Sequence, residues 1–305
     1  MKLKCNKEMR SVLSFVFCLL SVFFVQAQSP VSYCKEDSLR VVELLEQGAR
    51  LGKMVNGQWS MVNDEETLTL FYARQFMNRP YVAHTLEIKD KEEHLAINLQ
   101  SLDCTTLVEN VCALALTTSH GSKSWQDYLS WLQKLRYQEG RINGYSSRNH
   151  YFSQWIQSGE RQGMVKEVVP KDNISVPMKL SLTYMSSHPD SYPLLKVNME
   201  ERRLIAEMER RASGATVRYI PKERVGGSRK ALGDIRNGDI LALTTKKAGL
   251  DIAHVGFAVW GKDGKLHLLN ASSIHKKVVL EPKTLYQYMQ EHPSQTGIRV
   301  IRLQP

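Results

Sequence analysis

The strongest constraint on the fold is a change of periodicity along the chain. The first third carries apolar residues at helical spacing, over Asp37–Arg50 and from about Asp64 to Met77. The last quarter instead contains short β-rich runs separated by turn signals such as Lys262-Asp-Gly-Lys265. These runs predict strands at 238–243, 254–260, 265–270, 278–280 and 297–302, with a helix near 285–290. Helices followed by a meandering antiparallel sheet indicate an α+β fold.

The long middle section, about 119–232, is less regular. Its apolar spacing predicts helices around Trp125–Gln138 and Leu195–Ala212. The segment Ser186-Ser-His-Pro-Asp-Ser191 is predicted as a loop, and the alternative is a lid or the wall of a groove. No internal repeat, low-complexity block or flexible linker divides the chain. We therefore expect one composite domain over 28–305, in which 119–232 is an insertion between a helix near 103–118 and a sheet over about 238–302.

The first 27 residues have the organisation of a signal peptide. A basic start precedes an apolar stretch from Val12 to Val25, and small residues allow cleavage before Gln28. The apolar stretch is too short for a membrane span, so no transmembrane segment is expected after cleavage. Cleavage removes four basic residues and Glu8, a net +3, which changes the charge from +10 to +7. We expect an exported bacterial protein, periplasmic or secreted.

The basic residues carry limited information about partners. Lys and Arg are scattered, and no basic helix carries interleaved aromatic residues, which argues against a nucleic-acid partner. A moderately basic exported chain suits an anionic polymer instead. The oligomeric state is left open by the sequence.

Three cysteines remain after the predicted cleavage, namely Cys34, Cys104 and Cys112. An odd, small number in an oxidising compartment argues against a disulfide framework and for at least one free thiol. Cys104 and Cys112 are eight positions apart on one predicted helix, too far to bridge. A Cys34–Cys104 disulfide stays open as an alternative. Cys112 is interpreted as a core residue.

Cys104 is a candidate nucleophile because of its place in the predicted helix. Asp103 is a good N-cap, so Cys104 lies in the first turn. Backbone N–H groups and the positive end of the helix dipole favour a thiolate there.

A thiolate nucleophile needs a general base and a group that orients that base. His254 opens a predicted strand, on one face with Gly256 and Ala258, and these small residues leave room for a helix end. The next strand offers His267 and Asn270, which point to opposite faces because their spacing is odd. Asn270, at the strand end, is the better partner for His254, and His267 is expected to face solvent or another layer.

The segment Ser147-Arg-Asn-His-Tyr-Phe-Ser-Gln-Trp155 combines polar and aromatic side chains. Phe152 and Trp155 are interpreted as core residues. His150 and Arg148 are candidate binding residues, Arg148 because a guanidinium can hold a carboxylate bidentately. The chain has no His-Glu-x-x-His, Cys-x-x-Cys, P-loop or dinucleotide glycine pattern, so no metal and no cofactor are expected.

A succession of motifs resembles a known superfamily. They are, in order, Pro80-Tyr-Val-Ala83, Leu102-Asp-Cys-Thr-Thr-Leu-Val-Glu-Asn110, Gly238-Asp-Ile240, Ala253-His-Val-Gly256 and Leu269-Asn-Ala-Ser272. This succession is similar to that of NlpC-type, papain-like cell-wall amidases and peptidases. Flanking residues such as Gly249-Leu-Asp-Ile-Ala-His254 resemble the N-acetylmuramoyl-L-alanine amidase-like branch.

The resemblance implies a fold and a set of roles. The fold would be papain-like, with helices packed on an antiparallel sheet or half-barrel. Cys104 would be the nucleophile, His254 the base and Asn270 the orienting residue, where the superfamily often has His. The resemblance also suggests that Tyr81 and Asp103 line the site, and for Asp103 a plain N-cap is the alternative. With Arg148 and His150, named above from their own segment, and Ser272, these are the substrate-binding candidates.

The implied reaction is hydrolysis of the N-acetylmuramoyl–L-alanine amide bond in peptidoglycan or muropeptide fragments. One alternative in the same fold is a γ-D-glutamyl endopeptidase that acts on the stem peptide. Another, from a different class, is a non-catalytic wall-binding domain.

Overall fold

The computed structural model describes residues 31–55, 58–61, 67–87 and 92–304. The predicted signal peptide lies outside these residues. The helices are α1 (Lys35–Ala49), α2 (Leu68–Gln75), α3 (Cys104–Ser119), α4 (Trp125–Arg136), α5 (Phe152–Arg161), α6 (Tyr184–Ser187), α7 (Pro193–Val197), α8 (Met199–Ala212) and α9 (Leu285–Gln290). The strands are β1 (Val31–Ser32), β2 (Gly52–Val55), β3 (Gln58–Met61), β4 (Leu95–Ala96), β5 (Val165–Glu167), β6 (Val176–Lys179), β7 (Thr216–Pro221), β8 (Ile240–Thr245), β9 (Ile252–Trp260), β10 (Leu266–Ser272), β11 (Lys277–Leu280) and β12 (Gln295–Leu303).

The main sheet is antiparallel and runs in the order β11-β10-β9-β8-β12-β7-β6, while β5 also pairs with β12. Strands β8 to β11 follow one another as hairpins, which agrees with the predicted meander. Helices packed against an antiparallel sheet confirm the α+β prediction. None of the helices in the described ranges is long and apolar enough to cross a membrane.

The core lies on both faces of this sheet. On one face, the apolar side of α3 packs with Val255, Phe257 and Val259 of β9. On the other face, Ala258 and Leu268 join a second cluster with α9. Each fully buried large apolar side chain contributes about 1.5–3 kcal/mol relative to exposure. The strand β9 is therefore held from both sides, which gives the His254 end of it a fixed position.

Several predicted elements are close to the observed ones. The predicted helix at 103–118 is α3, and its residue Cys112 is fully buried, as are Trp155 and most of Phe152. The core interpretation of these three residues is confirmed. The predicted helix over Leu195–Ala212 is divided at Asn198, whose side chain accepts a 3.0 Å bond from the Glu201 N–H and so caps α8.

The middle section contains more regular structure than the two helices that were predicted for it. It contributes β5, β6 and β7 to the main sheet, and it contains the amphipathic helix α5. The three strands have three to six residues each; β5 and β7 pair with β12, far along the chain, and β6 pairs with β7. Short strands with distant partners leave little local pattern to detect. The domain boundaries themselves stay a prediction.

Candidate active site

The start of α3 is fixed by a reciprocal capping arrangement. The Asp103 side chain accepts a 2.8 Å bond from the Thr106 N–H, and the Thr106 hydroxyl oxygen accepts a 2.9 Å bond from the Asp103 N–H. The chain before the helix is held as well, because Val82 donates to the Leu102 carbonyl at 3.1 Å. These bonds place Cys104 in the first turn, with Tyr81 beside it.

The Cys104 thiol does not have the low pKa that its helix position suggested. Burial raises the pKa of Cys104 to about 11, and the neighbouring Asp103 carboxylate adds to the rise. Hydrogen bonds from the backbone N–H of Val255 and from Thr105 act in the opposite direction. The prediction of a favoured thiolate is therefore wrong for the unliganded site. The thiol is protonated at neutral pH and needs a base.

His254 is oriented by Asn270 on the adjacent strand. Its Nε2 lies 2.9 Å from Asn270 Oδ1. Because a side-chain carbonyl oxygen only accepts, Nε2 carries the proton and Nδ1 is left as the basic nitrogen. Burial lowers the pKa of His254, while the Asn270 hydrogen bond and the charges of Glu281 and Asp103 act to raise it. The ring is thus neutral near pH 7.

Gly256 explains how the two side chains meet. Leu269 pairs with Phe257, so the next pair in this register is Asn270 with Gly256. His254 and Asn270 are then diagonal neighbours on one face. A Cβ on Gly256 would come within 2.6 Å of the Leu269 carbonyl and 3.0 Å of Asn270 Cβ. The small residue therefore admits strand β10, and the expectation that it admits a helix end was wrong.

Cys104 and His254 line one small cavity of about 80 Å³. Among the described residues, no hydrogen bond joins the Cys104 sulfur directly to the His254 ring. Such bonds are often long in unliganded enzymes and shorten when the substrate binds.

A second cavity of about 310 Å³ adjoins the Cys104 thiol. Four of the predicted binding residues line it, namely Tyr81, Asp103, Arg148 and His150. The opposite wall includes Tyr184, Met185 and Tyr192, which flank the 186–191 segment and carried no chemical signal in the sequence. Residues 186–191 themselves do not line this cavity; the segment contains the end of α6 and a short 3₁₀ turn at Pro189–Ser191, so the lid or groove-wall alternative stays a prediction.

A buried carboxylate holds this wall in place. Glu209 of α8 accepts bonds of 3.0 Å from the Met185 N–H and 3.1 Å from the Ser186 N–H, and it also accepts a bond from the Tyr151 hydroxyl. The start of the short helix α6 is thereby tied to α8. This contact between residues 23 or more positions apart fixes one side of the cavity.

Arg148 lines the cavity, but its charge is paired inside the protein. Its guanidinium donates to Glu87 at 2.7 Å and to the Leu86 carbonyl at 2.8 Å, and Glu93 lies 3.7 Å away. The expectation that Arg148 holds a substrate carboxylate does not agree with this arrangement, because Glu87 already takes that place. The pairing joins chain segments 61 positions apart, which the sequence pattern does not reveal.

His150 is a neutral ring at the cavity. Burial lowers the pKa of His150 well below 6.5, and the Arg148 charge lowers it further. Its Nε2 donates to the Tyr145 carbonyl at 2.8 Å, so Nδ1 is left as a hydrogen-bond acceptor.

Ser272 and His267 lie away from the cavities. Ser272 is buried in β10, and its hydroxyl accepts a 3.2 Å bond from the His275 N–H. The prediction that Ser272 binds substrate does not fit this position, because the hydroxyl caps the turn after the strand. His267 lies beside Asp263 and the Lys283 carbonyl, away from His254, in agreement with its predicted orientation.

Two further polar residues follow Asn270, and sequence reasoning missed both. Asn270 Nδ2 donates to Glu281 Oε1 at 2.9 Å, and Glu281 Oε2 lies 3.1 Å from His275 Nε2. Glu281 comes directly after β11, where a charged residue is ordinary, so no local signal distinguished it. In the described part of the chain, no group of three or more His, Cys, Asp or Glu side chains is arranged to hold a metal ion.

Comparisons with known proteins find solved structures that this chain resembles. A crystal structure of an N-acetylmuramoyl-L-alanine amidase from Bacteroides uniformis is 40% identical, covers 78% of this chain and 99% of its own, and has a TM-score of 0.71. A structure from Bacteroides fragilis, proposed to be a xylanase, is 42% identical over 76% of this chain and 99% of its own, with a TM-score of 0.70. A Legionella pneumophila protein, 20% identical over 88% of this chain and 95% of its own, shares the fold with a TM-score of 0.63. Curated protein sequences gave no match.

The family comparison gives the class, that of amide-bond hydrolases. The family described as N-acetylmuramoyl-L-alanine amidase-like matches residues 72–298, which include α3, β9 and β10. The chain belongs to this N-acetylmuramoyl-L-alanine amidase-like family.

Proposed function

We propose that this protein is an exported cysteine amidase of the papain-like, NlpC type. It hydrolyses the amide bond between the muramic acid lactyl group and L-Ala in peptidoglycan or its muropeptide fragments. Cys104 is the nucleophile, His254 the base and Asn270 the residue that orients the base. The observation that carries the proposal is the 2.9 Å bond from His254 to Asn270, because it leaves His254 Nδ1 basic beside the cavity it shares with Cys104.

The mechanism starts from a neutral pair, because the pKa of Cys104 is raised and that of His254 is lowered. The sulfur attacks the amide carbonyl while His254 Nδ1 accepts the thiol proton. Backbone N–H groups at the start of α3 stabilise the oxyanion. His254 then protonates the leaving amine, and water hydrolyses the thioester. The proton that His254 took from the Cys104 thiol is thus transferred to the L-Ala amine.

The carboxylates at the cavity argue against glycoside hydrolysis, the activity suggested for the Bacteroides fragilis protein. That chemistry needs two carboxyl groups that are free to act on one glycosidic bond. Here Glu87 is paired with Arg148, Glu109 is paired with Arg136, and Asp103 caps α3. The three carboxylates that line the 310 Å³ cavity in the described part of the chain are thus all engaged in structural contacts.

The test uses a defined muropeptide and mass spectrometry of the products. We expect the wild-type protein to release the intact stem peptide with a free L-Ala amine. Cys104→Ala abolishes turnover and keeps the thermal transition, while the matched variant Cys34→Ala, which removes an exposed thiol, retains full activity. Cleavage after D-Glu would instead support the endopeptidase. Undiminished turnover by Cys104→Ala would refute the cysteine mechanism.

A further inference from the structure

The buried carboxyl group of Glu281 is hydrogen-bonded to Asn270 and has no role in the reaction steps described above. Glu281 is 3% exposed, and its Oε1 accepts the 2.9 Å bond from Asn270 Nδ2. Its backbone N–H donates to the Leu268 carbonyl at 2.8 Å, which fixes the residue against β10. Its Oε2 faces His275, whose side chain is 39% exposed. A continuous chain of hydrogen bonds thus runs from His254 to the surface.

This chain determines which way the Asn270 amide points. The Glu281 Oε1 atom accepts the bond from Asn270, so the amide turns its NH₂ group toward Glu281. Asn270 Oδ1 is then turned toward His254, and His254 must place its proton on Nε2. The opposite amide orientation would set Oδ1 against the carboxylate and present a donor to His254. Glu281 thereby selects the His254 tautomer that leaves Nδ1 basic, through two successive hydrogen bonds.

We propose that Glu281 is a positioning residue of the active site, which acts through Asn270 to hold His254 in its Nδ1-basic form and to stabilise the imidazolium that forms during attack. The proposal rests on the proposed function of Cys104 and His254. As the sulfur–carbon bond forms, the thiol proton moves from Cys104 Sγ to His254 Nδ1. The Nε2 proton stays on His254, so Asn270 and Glu281 remain in their protonation states.

The other charged or titratable groups around His254 act on its imidazolium in a different way from Glu281. Asp103 of the α3 cap is the second carboxylate that favours the imidazolium, and Cys104 is the proton donor. From α9, the Tyr288 ring lies 6.5 Å from the His254 ring, and burial raises the pKa of Tyr288 to about 12, so this neighbour is uncharged. From β10, Asn270 contributes a neutral amide. Of these two carboxyl groups, that of Asp103 is bonded at the helix start, whereas that of Glu281 is joined to His254 by hydrogen bonds through the Asn270 side chain.

The test replaces Glu281 by Gln and measures the reactivity of Cys104 without any cell-wall substrate. Gln keeps an oxygen for Asn270 Nδ2 and offers an NH₂ group to His275, so it removes the charge at constant shape. The rate of Cys104 alkylation by iodoacetamide is followed against pH, by mass spectrometry of the peptide that contains Cys104. The matched control is Glu291→Gln, which removes a half-exposed carboxylate paired with Lys283.

We expect the acid limb of the profile, which reports protonation of His254, to move to lower pH in Glu281→Gln by about half a unit to one unit. The rate above this limb falls severalfold, because the imidazolium is less stabilised. Glu291→Gln leaves both unchanged. A limb in Glu281→Gln that coincides with those of the wild type and Glu291→Gln would overturn the proposal.

A second measurement needs no variant. Imidazole ¹⁵N chemical shifts of the wild-type protein distinguish the two neutral tautomers, and we expect His254 to carry its proton on Nε2. A proton on Nδ1 would overturn the proposal even if Glu281→Gln failed to fold. Both measurements are independent of muropeptide cleavage. A shifted limb without hydrolysis would therefore refute the proposed function and leave the role of Glu281 standing.

Discussion

Replacing Asn270 by Ala removes both hydrogen bonds at the centre of the site. The His254 ring loses its acceptor, and the Glu281 carboxyl loses its donor. Because Asn270 is fully buried, water does not readily replace either partner. The variant should therefore change stability and catalysis together, by amounts that can be worked out separately.

The stability change follows from the two bonds. A hydrogen bond between neutral groups contributes about 1 kcal/mol, and one to a charged group about 1.5–3 kcal/mol. The two losses together predict a fall of roughly 2.5–4 kcal/mol in the free energy of unfolding. The catalytic change follows from the freed imidazole. A mobile imidazole stabilises the transition state less well, and a loss of about 1.4–2.8 kcal/mol of this stabilisation corresponds to a ten- to hundredfold fall in kcat/KM.

The assays are urea unfolding for stability and hydrolysis of a defined muropeptide for kcat/KM. Asn237→Ala is the matched control, because its Oδ1 accepts a 2.7 Å bond from the Trp260 N–H at the other end of β9. We expect the control to lose about 1 kcal/mol of stability and none of the activity. Wild-type kcat/KM in a folded Asn270→Ala protein would refute the orienting role.

Two further substitutions test the surroundings of the site. Glu109 is 2% exposed and is paired with Arg136 at 2.7 Å, so Arg136→Met removes the paired counter-charge of a buried carboxylate. Urea unfolding should show a loss of about 3–5 kcal/mol in the free energy of unfolding. Adding Glu109→Leu to the same chain should largely reverse this loss. Losses in the free energy of unfolding that simply add in the double variant would contradict this. His150→Gln tests acid sensitivity. The pKa of folded His150 lies below its unfolded value of 6.5, so the unfolded state binds the proton first, and stability falls as pH drops below about 6.5. The variant keeps a donor for the Tyr145 carbonyl, and its Tm should fall less between pH 7 and pH 5. Equal slopes would contradict the assignment.

The parts of the site that could be predicted lie on strongly periodic elements. Helix α3 has a cap and a long apolar face, and β9 and β10 alternate clearly, so Cys104 and His254 could be placed on their elements. The odd spacing of His267 and Asn270 correctly indicated that only one of them faces His254. These inferences depend on local periodicity, which the tertiary structure preserved.

The remaining features depend on contacts between distant parts of the chain. The raised pKa of Cys104 arises because β9 covers the helix start, so a helix position alone predicts the wrong direction. The partner of Arg148 is Glu87, and nothing in either segment indicates the pairing. Glu281 likewise gains its place only when β11 aligns with β10. Such contacts between distant residues cannot be predicted from the local patterns of a single sequence.

The Glu209 contact has a consequence for how relatives of this protein can diverge. The proposed reactive groups are carried by α3, β9 and β10, whereas Tyr184, Met185 and Tyr192 form part of the wall of the cavity beside Cys104. The Glu209 carboxyl of α8 holds this part of the wall through the Met185 and Ser186 N–H groups, together with the Gly249 carbonyl, which accepts from Tyr184. Substitutions near Glu209 can widen or narrow the cavity while the reactive groups keep their geometry. We therefore expect the range of substrates and the proposed chemistry to depend on separate stretches of the chain.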